Sequence, residues 1–188
     1  MIKCRKDLNF YLQEDAKRNG LGSWGGYFLR LLLGYENASA FRYIKCMRKC
    51  EYHQNTSNNM IHRILYLFYK AKLYRLGRKY NIIIQPNTCG YGLRIAHLSG
   101  GGGVLINAES VGNYCGFNSG VLIGNNGSQS RRPVIGNHTA FGPGAKAFGK
   151  ILIGNDVFVA PNAVVTKDVP DNCIVGGVPA KIIKVHHG

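Results

Sequence analysis

The chain of 188 residues carries a formal net charge of +15, although only 18% of its residues are charged. Its length suits one domain, or one domain with a small appendage. No apolar run reaches the roughly 18 residues that a membrane-spanning helix needs. The N-terminal segment also lacks the apolar core of a signal peptide, so we expect a cytoplasmic protein.

The positive charge is concentrated in the first part of the chain. Residues 1–80 contain 16 lysines and arginines against 5 carboxylates, whereas residues 81–188 contain 8 against 4. A basic surface is typical of proteins that bind polyanions, but a solvated helix face explains it equally well. The sequence has neither zinc-finger spacing nor an RNA-binding aromatic motif, so we do not expect nucleic acid as a partner.

The first 80 residues follow a helical pattern. Two shorter helices are predicted in "SWGGYFLRLLLGY" and "SAFRYIKCMRKCEY", separated by Gly34 and the polar "ENAS". After the predicted loop "HQNTSNN", the stretch 60–80 places apolar residues at spacings of three to five, with lysines and arginines between them. We expect this stripe to pack against a neighbouring helix or subunit, with contact to a membrane surface as the alternative.

The six cysteines are scattered along the chain, which favours buried reduced thiols over a disulfide framework. Cys46, Cys50 and His53 lie close together in the sequence, but they lack a fourth ligand. We therefore expect no metal site there.

From about residue 81 the period changes to six. Small or apolar residues occupy one six-residue register, interrupted by a gap of 12 residues between Ile123 and Ile135: Leu105, Val111, Phe117, Ile123, Ile135, Phe141, Ala147, Ile153, Val159 and Val165. A second set lies four positions after a register position: Cys115, Val121, Thr139, Ala145, Ile151, Val157, Ala163 and Val169. This period predicts short strands and turns, three of which close a triangular coil around a narrow core.

These residues resemble the hexapeptide-repeat acyltransferases. "VIGNHTAFGPGAKAFGKILIGNDVFVAPNAVVTKDVPDNCIVGGVPAKII" (134–183) is similar to the C-terminal coils of that family. "GYGLRIAHLSGGGGVLIN" (90–107) resembles serine O-acetyltransferases and the enzymes that acetylate bacterial polysaccharides. The resemblance implies a mostly β fold: a left-handed parallel β-helix over residues 81–188, preceded by a small α-helical region over residues 1–80. The many apolar residues between 61 and 76 predict that this helical region caps the β-helix and mediates assembly.

The same resemblance implies acetyl-CoA as co-substrate, no metal, and a homo-oligomer, expected to be a trimer with active sites between subunits. His97 corresponds to the general base of these enzymes, a role that suits imidazole because its ordinary pKa lies near neutral. The four glycines at 100–103 are expected to let a bulky ligand approach the backbone.

The remaining site residues also follow from the resemblance. Backbone around Gly142, Gly144, Ala145 and Gly149 is expected to line the pantetheine arm of CoA, and Lys146, Lys150 and Lys181 are candidates for its phosphates. Arg131, Arg132 and Glu109 are candidates for binding the acceptor.

The chain departs from the serine acetyltransferase pattern at three positions. Ala96 and Ile83 stand where those enzymes carry carboxylates, and Arg132 stands where they carry a further histidine. We expect Glu109 or a backbone carbonyl to orient His97 instead. The preferred acceptor is a sugar of a capsular or exopolysaccharide precursor. Serine is the alternative acceptor, and a β-helix scaffold or binding protein is the non-catalytic alternative.

Overall fold

The computed structural model describes residues 1–22, 24–56, 59–127 and 132–185. Four helices precede the strands in the described part of the chain: α1 (Arg5–Arg18), α2 (Trp24–Leu32), α3 (Glu36–Asn55) and α4 (Met60–Tyr80). None of the described helices is both long enough and apolar enough to cross a membrane.

The boundaries of α3 differ from the predicted ones. The segment "ENAS" forms its first turn instead of a break, because a carboxylate such as Glu36 interacts favourably with the partial positive charge of a helix N-terminus. At the other end, α3 continues to Asn55 through the first three of the seven residues of the predicted loop. The predicted helix 60–80 matches α4, which begins where the Asn59 side chain accepts the His62 N–H.

The strands follow in an order typical of a β-helix. They are β1 (Ile82–Ile84), β2 (Arg94–Ala96), β3 (Val104–Ile106), β4 (Ser110–Val111), β5 (Gly116–Asn118), β6 (Leu122–Gly124), β7 (Val134–Ile135), β8 (Ala140–Phe141), β9 (Lys146–Phe148), β10 (Leu152–Ile153), β11 (Phe158–Val159), β12 (Val164–Val165), β13 (Cys173–Gly176) and β14 (Lys181–Val185). From β2 to β12, every third strand joins the same parallel sheet.

The three sheets form the three faces of the β-helix. Face A contains β1, β3, β6, β9 and β12; face B contains β4, β7 and β10; face C contains β2, β5, β8, β11, β13 and β14. The strands of each face pair in parallel, except that the terminal β14 runs antiparallel to β13. The chain therefore turns three corners in each coil, and corners of the same kind stack along the axis.

The six-residue register correctly predicts which residues fill the core. From Val111 to Val165 every position of the register is buried, and so is every position of the second set. Leu105 is the exception, because Val104 and Ile106 point inward on β3 while Leu105 faces outward. Ile106 pairs with Ile123 and holds the register position only five residues before Val111, so the turn between β3 and β4 is one residue shorter than the period predicts.

Helices α3 and α4 extend this core beyond the first coil. Ile44, Met47 and Cys50 of α3 belong to the same buried cluster as the strands. The Ile84 N–H donates to the Tyr43 hydroxyl at 3.0 Å. Five of the six cysteines are buried, as predicted. Cys4 is exposed and therefore contradicts the prediction; its Sγ accepts the Asp7 N–H at the start of α1.

A buried ionic cluster joins α1 and α3 to the first coil. Arg48 is fully buried, and its Nε donates to Asp15 Oδ2 at 2.9 Å while Nη1 lies 3.1 Å from Glu51 Oε2. The same guanidinium donates to the Cys89 carbonyl, and Asp15 accepts the Leu93 N–H. The cluster thus links α1 and α3 to the first coil through paired charges, and removal of one partner would leave a buried charge uncompensated. The sequence pattern did not predict it.

Helix α4 buries only part of its predicted apolar stripe against the rest of the described chain. Leu73 and Leu76 are buried, but Ile61, Ile64 and Phe68 are 67%, 59% and 56% exposed. The reason is geometric: contact with α3 and β1 covers one side of the helix, and these three residues lie on the other.

Candidate active site

His97 lies at the corner where the chain leaves face C and enters face A, directly after β2. Its backbone is left-handed, with φ 58° and ψ 38°, and a single 3-10 turn (Leu98–Gly100) follows. The side chain is exposed. Within the described ranges, no hydrogen bond to its ring is found, so the ring is available to a ligand at the surface of the corner.

The glycines after His97 are explained by two different physical requirements. A Cβ at Gly102 would lie 2.6 Å from the Gly120 backbone, and one at Gly103 would lie 2.7 Å from the Asn81 side chain. Packing against the neighbouring coil and α4 therefore requires both. Gly101 has φ +81° and faces open space. The expected approach of a ligand thus fits Gly101, while Gly102 and Gly103 are explained by the fold.

Glu36 anchors the loop that carries His97. Its Oε2 accepts the Ser99 N–H at 3.2 Å and the Ser99 hydroxyl at 2.9 Å. Burial raises the pKa of Glu36, but these bonds, together with the backbone N–H groups of His97 and Leu98, lower it below its usual value. A carboxylate at the first residue of α3 therefore holds the corner through its backbone. No sequence signal identified it, since nothing in the spacing places Glu36 beside His97.

A cleft of about 310 Å³ lies beside this corner. Leu98, Ser99, Gly101 and Gly102 line one wall, and the start of α3 and the end of α4 supply the other through Glu36, Ser39, Lys79 and Asn81. The cleft therefore places polar groups and a cation next to the loop of His97.

The predicted acceptor-binding residues lie at a different corner, between faces A and B. There the Arg132 Nη2 contacts Glu109 Oε2 at 2.7 Å, and Nη1 donates to Gln85 at 3.2 Å. Glu109 pairs with Arg132, so the expectation that it orients His97 is wrong within one chain, because face A separates the two corners. Arg131 lies outside the described residues.

Four of the predicted donor-binding residues stack on the corner of His97: Gly142, Gly144, Ala145 and Lys146. The N–H groups of Gly142 and Gly144 already donate to Val159 and Ser119, so coil stacking engages them. Ala145 is fully buried; its N–H donates to the Gly142 carbonyl and its carbonyl accepts the Leu122 N–H, so the coil also engages its backbone.

The predicted phosphate-binding lysines are dispersed. The Lys146 Nζ donates to the Gly144 carbonyl at 2.9 Å, so this lysine lies along the corner of His97. Gly149 and Lys150 lie at the corner between faces A and B, and Lys181 is exposed on β14. One chain therefore does not bring all three lysines to one place.

The described histidines other than His97 belong to no group that could hold a metal ion. In the part of the chain that the structure describes, no cluster of three histidine, cysteine or carboxylate side chains is arranged to hold a metal ion. His53 and His62 form a close pair between α3 and α4, with their Nδ1 atoms 3.1 Å apart. His138 is exposed at another corner, where its ring stacks on Tyr114.

Comparison with known proteins shows which family the chain belongs to. No protein-family model matches the chain. The serine acetyltransferase of Helicobacter pylori J99 is 32% identical to it over 188 residues, which cover 97% of the chain and 98% of that protein. The chain belongs to the serine acetyltransferase family.

Other members of the family are similar over less of their length. The serine acetyltransferase of Synechococcus elongatus is 35% identical over 134 residues, and the chain spans 54% of it. The soybean serine acetyltransferase apoenzyme superposes with a TM-score of 0.73 at 24% identity, covering 95% of the chain and 69% of the soybean chain. The Neisseria gonorrhoeae enzyme gives a TM-score of 0.71 at 25% identity, covering 98% and 69%. The predicted family resemblance and left-handed β-helix are thus confirmed.

Proposed function

We propose that the chain transfers the acetyl group of acetyl-CoA to the hydroxyl of serine, with His97 as general base. The observation that carries the proposal is the exposed His97 at a corner next to a polar cleft, in a chain of this family. Membership of this family supports acetyl transfer as the reaction, and the names of the relatives support serine as the acceptor.

The chemistry needs one group that takes and returns a proton. The neutral imidazole of His97 removes the proton from the acceptor hydroxyl as its oxygen attacks the thioester carbonyl carbon. The tetrahedral intermediate then collapses, the carbon–sulfur bond breaks, and the imidazolium returns the proton to the CoA thiolate. The products are the O-acetyl ester and free CoA.

The sugar acceptor expected from the sequence finds no support among these relatives, which are named for serine. It remains a second candidate because of one specific observation. Ala96 is half-buried and Ile83 is exposed where serine acetyltransferases carry carboxylates, so the usual ionic partners are missing at these two positions. Serine is the first acceptor to test, and sugars are the second.

Donor binding and assembly belong to the same proposal. CoA is proposed to lie along the corner of Gly142, Gly144, Ala145 and Lys146; a related enzyme from Brucella abortus has been solved with coenzyme A. A trimer would allow the corner of Arg132 and Glu109 in one subunit to face His97 of the next. This arrangement agrees with the separation of the two corners within one chain. Residues 1–80 are proposed to cap the β-helix of residues 81–188.

The test is release of free CoA thiol from acetyl-CoA with L-serine and, separately, with a panel of sugars. The proposal expects turnover with serine, and loss of that turnover in His97→Asn. Asparagine tolerates the left-handed backbone of this position but is not a base. Turnover with a sugar but not with serine would overturn serine as the acceptor and favour the sugar. No turnover with any acceptor would favour the scaffold alternative.

A further inference from the structure

Helix α4 carries an apolar face that nothing in the described chain covers. Ile61, Ile64, Leu67 and Phe68 are exposed, and their spacings of three and four place them on one side of the helix. The buried Leu73 lies on the side that contacts the core. An exposed row of large apolar side chains over several turns is typical of an interaction surface.

Cations frame this face. The segment Met60–Tyr80 contains six lysines and arginines and no carboxylate. Lys72 and Arg75 are exposed, and the Lys72 Nζ lies 5.9 Å from the centre of the Phe68 ring. Arg78 and Lys79 follow in the last turn. The apolar face is therefore bordered by positive charge that α4 itself does not neutralise.

The positive charge of α4 distinguishes between two candidate partners for its apolar face, a second copy of the chain and a lipid surface. If α4 packed against α4 of a second copy, two apolar faces would meet, but so would two sets of cations without a carboxylate on either helix. An anionic lipid surface satisfies both features, since its acyl chains accept the apolar side chains and its phosphates attract the cations. The excess of +11 in residues 1–80 favours the same partner.

We propose that α4 binds the surface of an anionic membrane. The helix lies parallel to the surface, with Ile64, Leu67 and Phe68 between the lipid head groups and Lys72 and Arg75 against the phosphates. This inference is independent of acetyl transfer, because α4 reaches the candidate site only through its last residues at the cleft.

The experiment is co-sedimentation of the full chain with vesicles. Vesicles of phosphatidylcholine alone are compared with equimolar phosphatidylcholine and phosphatidylserine, at low and high salt. We expect binding to the anionic vesicles, weakened by salt because screening shortens the range of the attraction. Two variants test the two features: Ile64→Gln/Leu67→Gln and Lys72→Glu/Arg75→Glu. Each is expected to lower the partition coefficient by on the order of tenfold or more.

Matched controls make the same changes elsewhere. Leu152→Gln replaces an exposed apolar residue of β10, and Lys167→Glu/Lys184→Glu reverses two exposed charges of the β-helix. Both controls are expected to bind like the original chain. Absence of binding by the unaltered chain, or equal binding to both vesicle types, would overturn the proposal. So would a smaller particle mass of Ile64→Gln/Leu67→Gln by light scattering, since the face would then join copies of this chain.

Discussion

Replacing Glu36 by glutamine tests whether the corner of His97 depends on a carboxylate. The amide keeps an oxygen that can accept one bond, but it loses the charge that faces Ser99 and the neighbouring N–H groups. Hydrogen bonds to charged groups contribute about 1.5–3 kcal/mol each, against about 0.5–1.5 for neutral ones. The variant is therefore expected to lose roughly 1–3 kcal/mol of anchoring.

This loss should appear in turnover. With about 1.4 kcal/mol for each tenfold change, kcat for acetyl transfer should fall about 5- to 140-fold. The KM for acetyl-CoA should stay unchanged, because the proposed donor groove lies farther along the β-helix. Glu36→Asp should recover part of the loss, and Ser99→Ala should cost less than Glu36→Gln because the Ser99 N–H remains.

The assay combines steady-state kinetics with amide hydrogen exchange at residues 97–99. Exchange there should accelerate in Glu36→Gln and stay unchanged in Asp156→Asn, which removes an exposed carboxylate at another corner. The pKa of Glu36 is lowered in the folded chain, so its anchoring contribution is present above the usual carboxyl pKa and is lost as the pH falls through the lowered value. A kcat within twofold of the original, with unchanged exchange, would refute the anchoring role.

Two further predictions concern stability. Asp15→Ala leaves the buried Arg48 with one carboxylate fewer, so the free energy of unfolding measured with urea should fall by about 3–5 kcal/mol. Glu109→Ala, at the more exposed pair with Arg132, should lower it by no more than about 1 kcal/mol. Equal losses in the two variants would contradict the structural importance of the buried ionic cluster. Burial, and then the charge of His62, lowers the pKa of His53. The neutral His53 therefore contributes its full stability above the usual histidine pKa of about 6.5, and this contribution is lost as the pH falls through the lowered pKa. The fall in Tm between neutral and acidic pH should shrink in His53→Gln, and an unchanged pH dependence would count against the pair.

The register of the β-helix could be predicted because it is a local, repeating pattern. Each side chain from Val111 to Val165 sees the same environment every 18 residues where the coils are uninterrupted, as the pairing of Phe141 with Val159 shows. The prediction failed at Leu105, since Ile106, which takes the register position, lies five residues before Val111 instead of six. A sequence repeat predicts which side chains point into the core only where the coils keep the length of that repeat.

The surroundings of His97 could not be predicted in the same way. The contacts of Glu36 with Ser99, and of Arg48 with Asp15, join residues far apart in the sequence. They depend on how α3 packs on the first coil, and no local pattern encodes that packing angle. The histidine was identified by family resemblance, whereas its anchor required the three-dimensional structure.

The most direct test of the central claim is the turnover of His97→Asn. The account predicts that kcat falls roughly 10²- to 10⁴-fold, the usual contribution of general acid–base catalysis. The affinity for CoA and the Tm should stay close to those of the original chain, because the side chain is exposed and asparagine tolerates the left-handed backbone. Near-normal turnover in a folded His97→Asn variant would contradict the assignment of His97 as the base.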